Sequence, residues 1–349
     1  MVVSIVHGGT DNGPPILHDF STNGHPLGPP PLAMDAVLKA DRLRYPDPSY
    51  AALRECLGNW HDVDPSRVLP CAGGSEAIRR LSLAALLEGV TTVCVPQPGF
   101  ADYGVAAEVL GLTVRGYSDA AGLATLLDQL DRRALVWVCD PCNPTGASFT
   151  VAEWLALDVA LQRHDSRLVV DQAYEPLRLV GSNALPAVLS DRAWRMMCPN
   201  KALGLTGVRG AYLLAPRADD GTERLLALAS SWVLSSEGQA MLMAWTLPAV
   251  QSQLRESLQV LRDWQGIQWR RLASLGMRQR AGSVANFWLA RLPSTDHRTA
   301  AEQLARLRAQ GIKLRDASSF GMPGWVRLSV QAPPALEALV LALGPMLDV

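Results

Sequence analysis

The chain has no long basic run, and its formal net charge over 349 residues is only −1. Without a basic face there is no electrostatic footprint for nucleic acid. No apolar stretch approaches the roughly 18 residues that a membrane-spanning helix needs. Residues 1–10 carry neither the charged start nor the apolar core of a secretory leader. The expectation is a cytoplasmic protein with no membrane partner. Cysteine is scarce, with six residues, and Cys139-Asp140-Pro141-Cys142 alone has the spacing of a metal or redox pair. No second pair or histidine cluster accompanies it, so no metal site is expected. Cys94, Cys139 and Cys198 fall in or beside apolar runs, where a thiol behaves as a small hydrophobe.

What is present is a globular composition, 48% hydrophobic and 19% charged, in a chain long enough for two domains. Residues 1–31 are rich in Gly, Pro and Asn and read as an extended arm. Helical patterns follow at 49–59, 75–88 and 151–162. They alternate with short apolar strands at 92–95, 112–116, 134–139, 168–170, 194–197 and 211–214. That alternation predicts an α/β fold with a mainly parallel central sheet between helices. Beyond residue 216 the pattern changes. A largely helical stretch, 221–273, precedes strands at 287–292, 313–315 and 325–330, with helices at 299–310 and 334–347, which reads as a smaller α+β domain. The expected division is an N-terminal arm (1–34) joining the small domain, a large domain (35–215) and a small C-terminal domain (216–349). The ten tryptophans are expected to pack cores and the domain seam.

Chemistry-bearing residues sit just after successive strands. Asn143-Pro144-Thr145-Gly146 follows the strand ending at 139. Asp171-Gln172-Ala173-Tyr174 follows the next strand, and Lys201 comes thirty residues after Asp171, with Arg209 eight residues beyond it. Open α/β sheets gather ligands at the carboxyl ends of their strands, so these groups can converge. An amine, a buried carboxylate, a phenol, an amide and a guanidinium are what pyridoxal phosphate requires of a protein. The amine forms the Schiff base, the carboxylate keeps the pyridine nitrogen protonated, and cations and amides hold the phosphate. Gly73-Gly74-Ser75, with Ser75 as the expected N-cap of a helix, is a candidate phosphate cradle. Phe100 can stack on the ring. Each residue alone has a plain structural alternative, as a cap, a core aromatic or a surface charge; it is their common placement that points to a site.

These motifs resemble the fold-type I pyridoxal phosphate enzymes, the aspartate aminotransferase superfamily, over nearly the whole chain. Arg44-Tyr45-Pro46-Asp47-Pro48, the Asn143 turn and Gly207-Val208-Arg209-Gly210 are similar to histidinol-phosphate aminotransferases and their relatives. The resemblance implies that Lys201 carries the cofactor and Asp171 pairs with the pyridine nitrogen. Asn143 and Tyr174 would bond the ring oxygen, Gly74, Ser75, Asn200 and Arg209 would hold the phosphate, and Phe100 would stack on the ring. Tyr45 would reach the active site of a neighbouring subunit in a homodimer. Arg327 would bind a substrate carboxylate and Arg315 a distal phosphate.

The opening His7-Gly8-Gly9, Asp19-Phe20-Ser21-Thr22-Asn23 and His25-Pro26-Leu27-Gly28 resemble threonine-phosphate decarboxylases of cobalamin biosynthesis. That implies His7 against the substrate phosphate and Asn23 in the site. Cys198 and Asn200 stand where the family usually has hydroxyl donors, and a thiol donates poorly. The reading at this stage is a lyase that decarboxylates L-threonine O-3-phosphate. The alternatives are an aminotransferase passing an amine from histidinol phosphate or a related amino acid to 2-oxoglutarate, and a cofactor-binding module without catalysis.

Overall fold

The computed structural model describes residues 7–217, 221–293 and 299–344. Past a two-residue strand, β1 (His18–Asp19), the chain builds a seven-stranded sheet. Its strands are β2 (Val68–Cys71), β3 (Thr92–Pro96), β4 (Thr113–Tyr117), β5 (Leu135–Cys139), β6 (Arg167–Asp171), β7 (Trp194–Met197) and β8 (Ala211–Leu214). The order across the sheet is β2-β8-β7-β6-β5-β3-β4. The pairs from β4 to β7 are parallel, while β8 runs antiparallel to both β7 and β2.

The period of two is visible in β5. Leu135, Trp137 and Cys139 enter one hydrophobic cluster, while Val136 and Val138 enter another on the opposite face. Both faces are therefore covered, as a parallel sheet requires. Strand β2 was not foreseen, because Val68-Leu69-Pro70-Cys71 is short and carries a proline. It lies at the sheet edge, the one place where a missing N–H is tolerated. The helix that covers β5 and β6, Val151–Arg163, begins in a capping box. Thr150 Oγ1 accepts from the Glu153 amide, and Glu153 accepts from the Thr150 amide.

Strands β9 (Arg278–Gln279), β10 (Phe287–Arg291), β12 (Arg315–Asp316) and β13 (Val326–Ser329) form an antiparallel sheet in the order β12-β13-β10-β9. The strand expected at 313–315 is two strands. β11 (Ile312–Lys313) pairs in parallel with β1, and only after Leu314, which turns into the core, does β12 join β13. The arm is thus stitched to the smaller sheet by β1. The helical stretch after 221 is three helices, Gly221–Ala227, Ser236–Trp245 and Pro248–Ser274. The closing helix runs Pro333–Leu343, and its expected end at 347 lies outside the described residues. Trp137, Trp154, Trp194 and Trp288 are fully buried, whereas Trp60 and Trp232 are exposed.

Two histidines fasten distant segments. His25 Nε2 lies 2.8 Å from Ser257 Oγ on the helix Pro248–Ser274, and His61 Nε2 lies 2.8 Å from the Tyr212 hydroxyl. Burial pushes both imidazoles down to about 4 from an ordinary 6.5, with Arg195 adding to the effect at His61. A depressed pKa makes the neutral ring part of the folded state. The stability it contributes is full above pH 6.5 and is lost as pH falls towards 4. Urea unfolding of the wild type should show falling stability across that window, and His25→Gln should remove part of the dependence. Equal slopes in wild type and variant would contradict the assignment.

Candidate active site

Strands β5, β6 and β7 are adjacent, and each ends in a candidate residue. Asn143 lies just past β5, Asp171 closes β6 and Lys201 lies just past β7. All three line one cavity of about 350 Å³. Tyr174, Gly74, Ser75, Phe100, Asn200, Arg209, His7, Asn23, Arg315 and Arg327 line it too. Tyr45 does not. It is 77% exposed on the surface and stacks on Trp232 with centroids 4.3 Å apart.

At the floor, burial raises the Asp171 carboxyl above the usual carboxylate range, and three contacts oppose that rise. The Tyr103 hydroxyl donates to Asp171 Oδ2 at 2.5 Å, Lys201 contributes positive charge, and the Ala173 amide donates to Oδ1 at 2.9 Å. Tyr103 itself is fully buried, stacked on Trp137 at 4.7 Å and edge-on to Phe100 at 5.7 Å. The Lys201 Nζ sits 5.3 Å from the centre of the Tyr174 ring. Burial works against its ammonium form, but Cys198, Tyr174 and Asp171 together outweigh burial and hold the amine above its ordinary value.

One part of the cavity suits an anion. The helix Gly74–Leu87 starts there from Gly73, which has no side chain to cap it, and Gly74 and Ser75 of its first turn line the cavity. The N-cap is Gly73, not Ser75: at φ 139° it takes a backbone conformation that only glycine tolerates. A Cβ at Gly73 would fall 2.1 Å from an Arg209 guanidinium nitrogen, so the glycine makes room for the cation. Ser75 sits in the first turn and donates its only hydroxyl proton to Asp102. Towards an anion it therefore offers its backbone amide. Cys198 packs against Gly74, and burial pushes its thiol up to about 11.

The lining also holds two further guanidiniums. The β12–β13 register sets Arg315 directly opposite Arg327, and both are buried, at 4% and 5% exposure. Like charges facing each other across an antiparallel pair are unfavourable unless an anion lies between or beside them. Arg327 donates to Asn143 Oδ1 and to the Ser21 carbonyl, both at 2.5 Å. Arg315 donates to Ser319 Oγ at 2.7 Å and to the Asp316 carbonyl. Asn23 has both side-chain amide atoms buried without a partner, and it lines the same cavity. His7 closes the wall beside Phe100, its ring centroid 6.0 Å from the phenyl and its Nε2 4.0 Å from Asp102 Oδ1.

The family model for class I and II aminotransferases matches residues 16–342. The chain belongs to that family. A histidinol-phosphate aminotransferase of Rhodospirillum rubrum is 30% identical over 93% of this chain and 89% of its own length. In three dimensions, the histidinol-phosphate aminotransferase of Clostridium acetobutylicum superposes with a TM-score of 0.82 at 19% identity, covering 95% of this chain and 99% of the other. The enzyme of the same name from Sinorhizobium meliloti, solved in complex with pyridoxal-5'-phosphate, gives 0.78 at 22% identity over 93% and 89%. This is a pyridoxal phosphate enzyme with the fold-type I architecture.

The cavity of this aminotransferase-family protein fits the cofactor on its own evidence. The Gly73 cradle, the uncapped helix and Arg209 suit a phosphate, while the buried Asp171 carboxylate suits a protonated ring nitrogen. Asn200 Oδ1 lines the cavity with no partner of its own. Sequence reasoning gave Tyr103 no role. Its spacing from Phe100, on the first turn of the helix Ala101–Val109, was the available signal. What the spacing lacked was the Asp171 carboxylate that the fold brings to it.

Replacing Tyr103 by Phe keeps the stacking and removes one hydrogen bond to a charged acceptor, a loss of roughly 1.5–3 kcal/mol. The Asp171 carboxyl should titrate higher still, and the apoprotein should bind pyridoxal phosphate on the order of tenfold more weakly, read by absorbance titration. Unchanged affinity in Tyr103→Phe would mean that Asp171 needs no such support.

Proposed function

We propose that this enzyme acts on a small amino compound bearing a phosphate monoester, and that it passes the amine to 2-oxoglutarate as histidinol-phosphate aminotransferases do. The observation that carries this reading is the opposed, buried pair Arg315 and Arg327 in the cavity lining. Two guanidiniums suit two anionic groups, and forked bonding suits carboxylate and phosphate alike. Arg327, fixed by Asn143 and Ser21, is the partner for a carboxylate, such as that of 2-oxoglutarate, and Arg315 is the partner for the substrate phosphate, with His7 lining the same cavity.

Bound pyridoxal phosphate supplies an electron sink for a bond breaking at the amine-bearing carbon. Around it, Lys201 carries the cofactor and afterwards moves the proton at that carbon. Asp171, fixed in direction by Tyr103, would answer the ring nitrogen with negative charge. Asn143 and Tyr174 would bond the ring oxygen, Phe100 would stack on the ring, and Gly74, the Ser75 amide, Asn200 and Arg209 would hold the phosphate. The arginines orient the substrate, and orientation selects which bond lies in line for cleavage. Tyr45, exposed beside Leu43 and Trp232, is the residue available to a neighbouring subunit's site in a homodimer. No described helix is long and apolar enough to cross a membrane, and the cytoplasm remains the proposed location. We also propose an arm ending at 34, a large unit ending at 215 and a small unit from 216.

A second reading, decarboxylation of L-threonine O-3-phosphate, is favoured by one observation: His7 and Gly8 of the arm form part of the cavity wall, where they can set a short phosphorylated substrate. The two readings differ in their products. Holoenzyme given histidinol phosphate or threonine phosphate, with and without 2-oxoglutarate, should convert one of them. Dependence on 2-oxoglutarate supports amine transfer, and CO₂ released without it supports decarboxylation. Arg315→Ala should lower kcat/KM for the phosphorylated substrate roughly a hundredfold, as expected for truncating one partner of a buried charge contact. Equal turnover of phosphorylated and unphosphorylated substrates would sink both readings.

A further inference from the structure

The arm that brings His7 and Gly8 to the cavity is fastened some residues away, at Asp11. Its carboxylate takes Lys313 Nζ at 2.7 Å on one oxygen and Arg308 at 2.8 Å on the other. The Gly13 amide adds a third bond at 2.9 Å, which turns the chain back on itself. Lys313 also donates to the Gly9 carbonyl, and Arg308 reaches the Pro15 carbonyl at 3.2 Å. Both cations are largely enclosed, with side chains 13% and 16% exposed, so their stems are not free to follow a wandering partner. The same three contacts hold the Asp11 carboxyl well below the usual carboxylate range, Lys313 first, then Arg308 and the Gly13 amide.

Between this clasp and the cavity the arm rests on Ser21. The Gly9 amide donates to Ser21 Oγ at 2.9 Å, and Ser21 Oγ donates to Asp19 Oδ1 at 2.6 Å. A Cβ at Gly8 would lie 2.1 Å from the Ser21 carbonyl oxygen, the acceptor that holds Arg327. The clasp, the Gly8–Ser21 contact and the substrate arginine are thus consecutive links in one packed chain. Strand β11 contributes Lys313 to the clasp, and two residues on, β12 contributes Arg315 to the cavity.

We propose that Asp11 is a positioning residue for substrate recognition: clasped by Lys313 and Arg308, it latches residues 7–9 against Ser21 and so sets His7 and Arg327 for the phosphorylated substrate. The inference rests on the phosphorylated-substrate reading for its kinetic consequence. An isolated surface ion pair contributes little. Here one carboxylate joins two enclosed cations and a backbone amide, and the same lysine holds the arm's own carbonyl.

The test uses the holoenzyme with Asp11→Asn, which keeps shape and removes charge, and Asp11→Glu, which restores it. For whichever phosphorylated substrate the wild type converts, Asp11→Asn should raise KM roughly three- to tenfold and leave kcat within about twofold, the size expected of a partly exposed ionic contact. Asp11→Glu should recover much of the loss. The visible absorbance of the bound cofactor should be unchanged in both, since Asp11 lies outside the cavity lining. Amide hydrogen exchange at residues 8–13 should quicken about tenfold in Asp11→Asn and recover in Asp11→Glu. In the wild type, 0.5 M salt should move exchange towards the variant's rate, while the variant should respond little. Unchanged KM together with unchanged exchange in Asp11→Asn would overturn the latch. Faster exchange with unchanged KM would overturn its role in recognition. If the wild type converts no phosphorylated amine, the substrate reading fails, and the exchange arm still decides whether Asp11 holds the arm.

Discussion

One buried guanidinium joins the parts of this enzyme that would otherwise meet only by surface contact. Arg327 rises from the antiparallel sheet, donates to Asn143 in the loop after β5 of the parallel sheet, and donates to the Ser21 carbonyl of the arm. Taking such a charge out of water costs several kcal/mol, and two neutral oxygen acceptors return only part of it. The remaining deficit shows in the guanidinium itself, which burial pushes down to about 10 despite the opposing pull of Tyr174. A site left in this condition is complementary to an anion, and the substrate's own charge completes it. The fold tolerates the cost because the same group fixes three segments at once.

The cavity lining combines three cations with one buried carboxylate. Arg209 stands against Gly73 at a helix start, Arg315 faces Arg327 across β12 and β13, and Asp171 closes β6. Positive charge in two places suits a cofactor phosphate and substrate anions. The carboxylate suits a protonated ring nitrogen. Asp102 interrupts this pattern: it sits buried beside the cofactor-phosphate cradle, takes the Ser75 proton, and has His7 4.0 Å from its other oxygen. With Cys198 and Asn200 in place of hydroxyl donors, a phosphate held there would depend more on backbone amides and Arg209 than on side-chain hydroxyls.

Much of this was legible in the chain itself. The alternation of apolar runs and amphipathic segments marks the parallel sheet, because strands covered on both faces must be apolar throughout. The residues at the ends of β5, β6 and β7 could be picked out because they share one placement, at the carboxyl ends of neighbouring strands, although each alone could be a cap or a surface group. Strand β2 was hidden by Pro70, and the break at Leu314 by the continuity of its apolar pattern. Ser75 read as a cap because serine before a helix usually is one, but Gly73 already supplied the turn. Tyr103 was visible as a residue and silent as a function, since its partner lies 68 positions away.

The sequence by itself determined the cofactor chemistry and the architecture: an amine, a carboxylate and a guanidinium at the right intervals admit few other uses, and periodicity dictates which faces are buried. Only the tertiary structure decided how those groups are tuned and held. The opposition of Arg315 and Arg327 follows from strand register, the hold of Tyr103 on Asp171 from the packing of a helix against the sheet, and the arm's place from a clasp nearly three hundred residues away in the chain. Register, burial and long-range ion pairing depend on distances between segments, and a linear pattern carries no information about those distances until the core has set them.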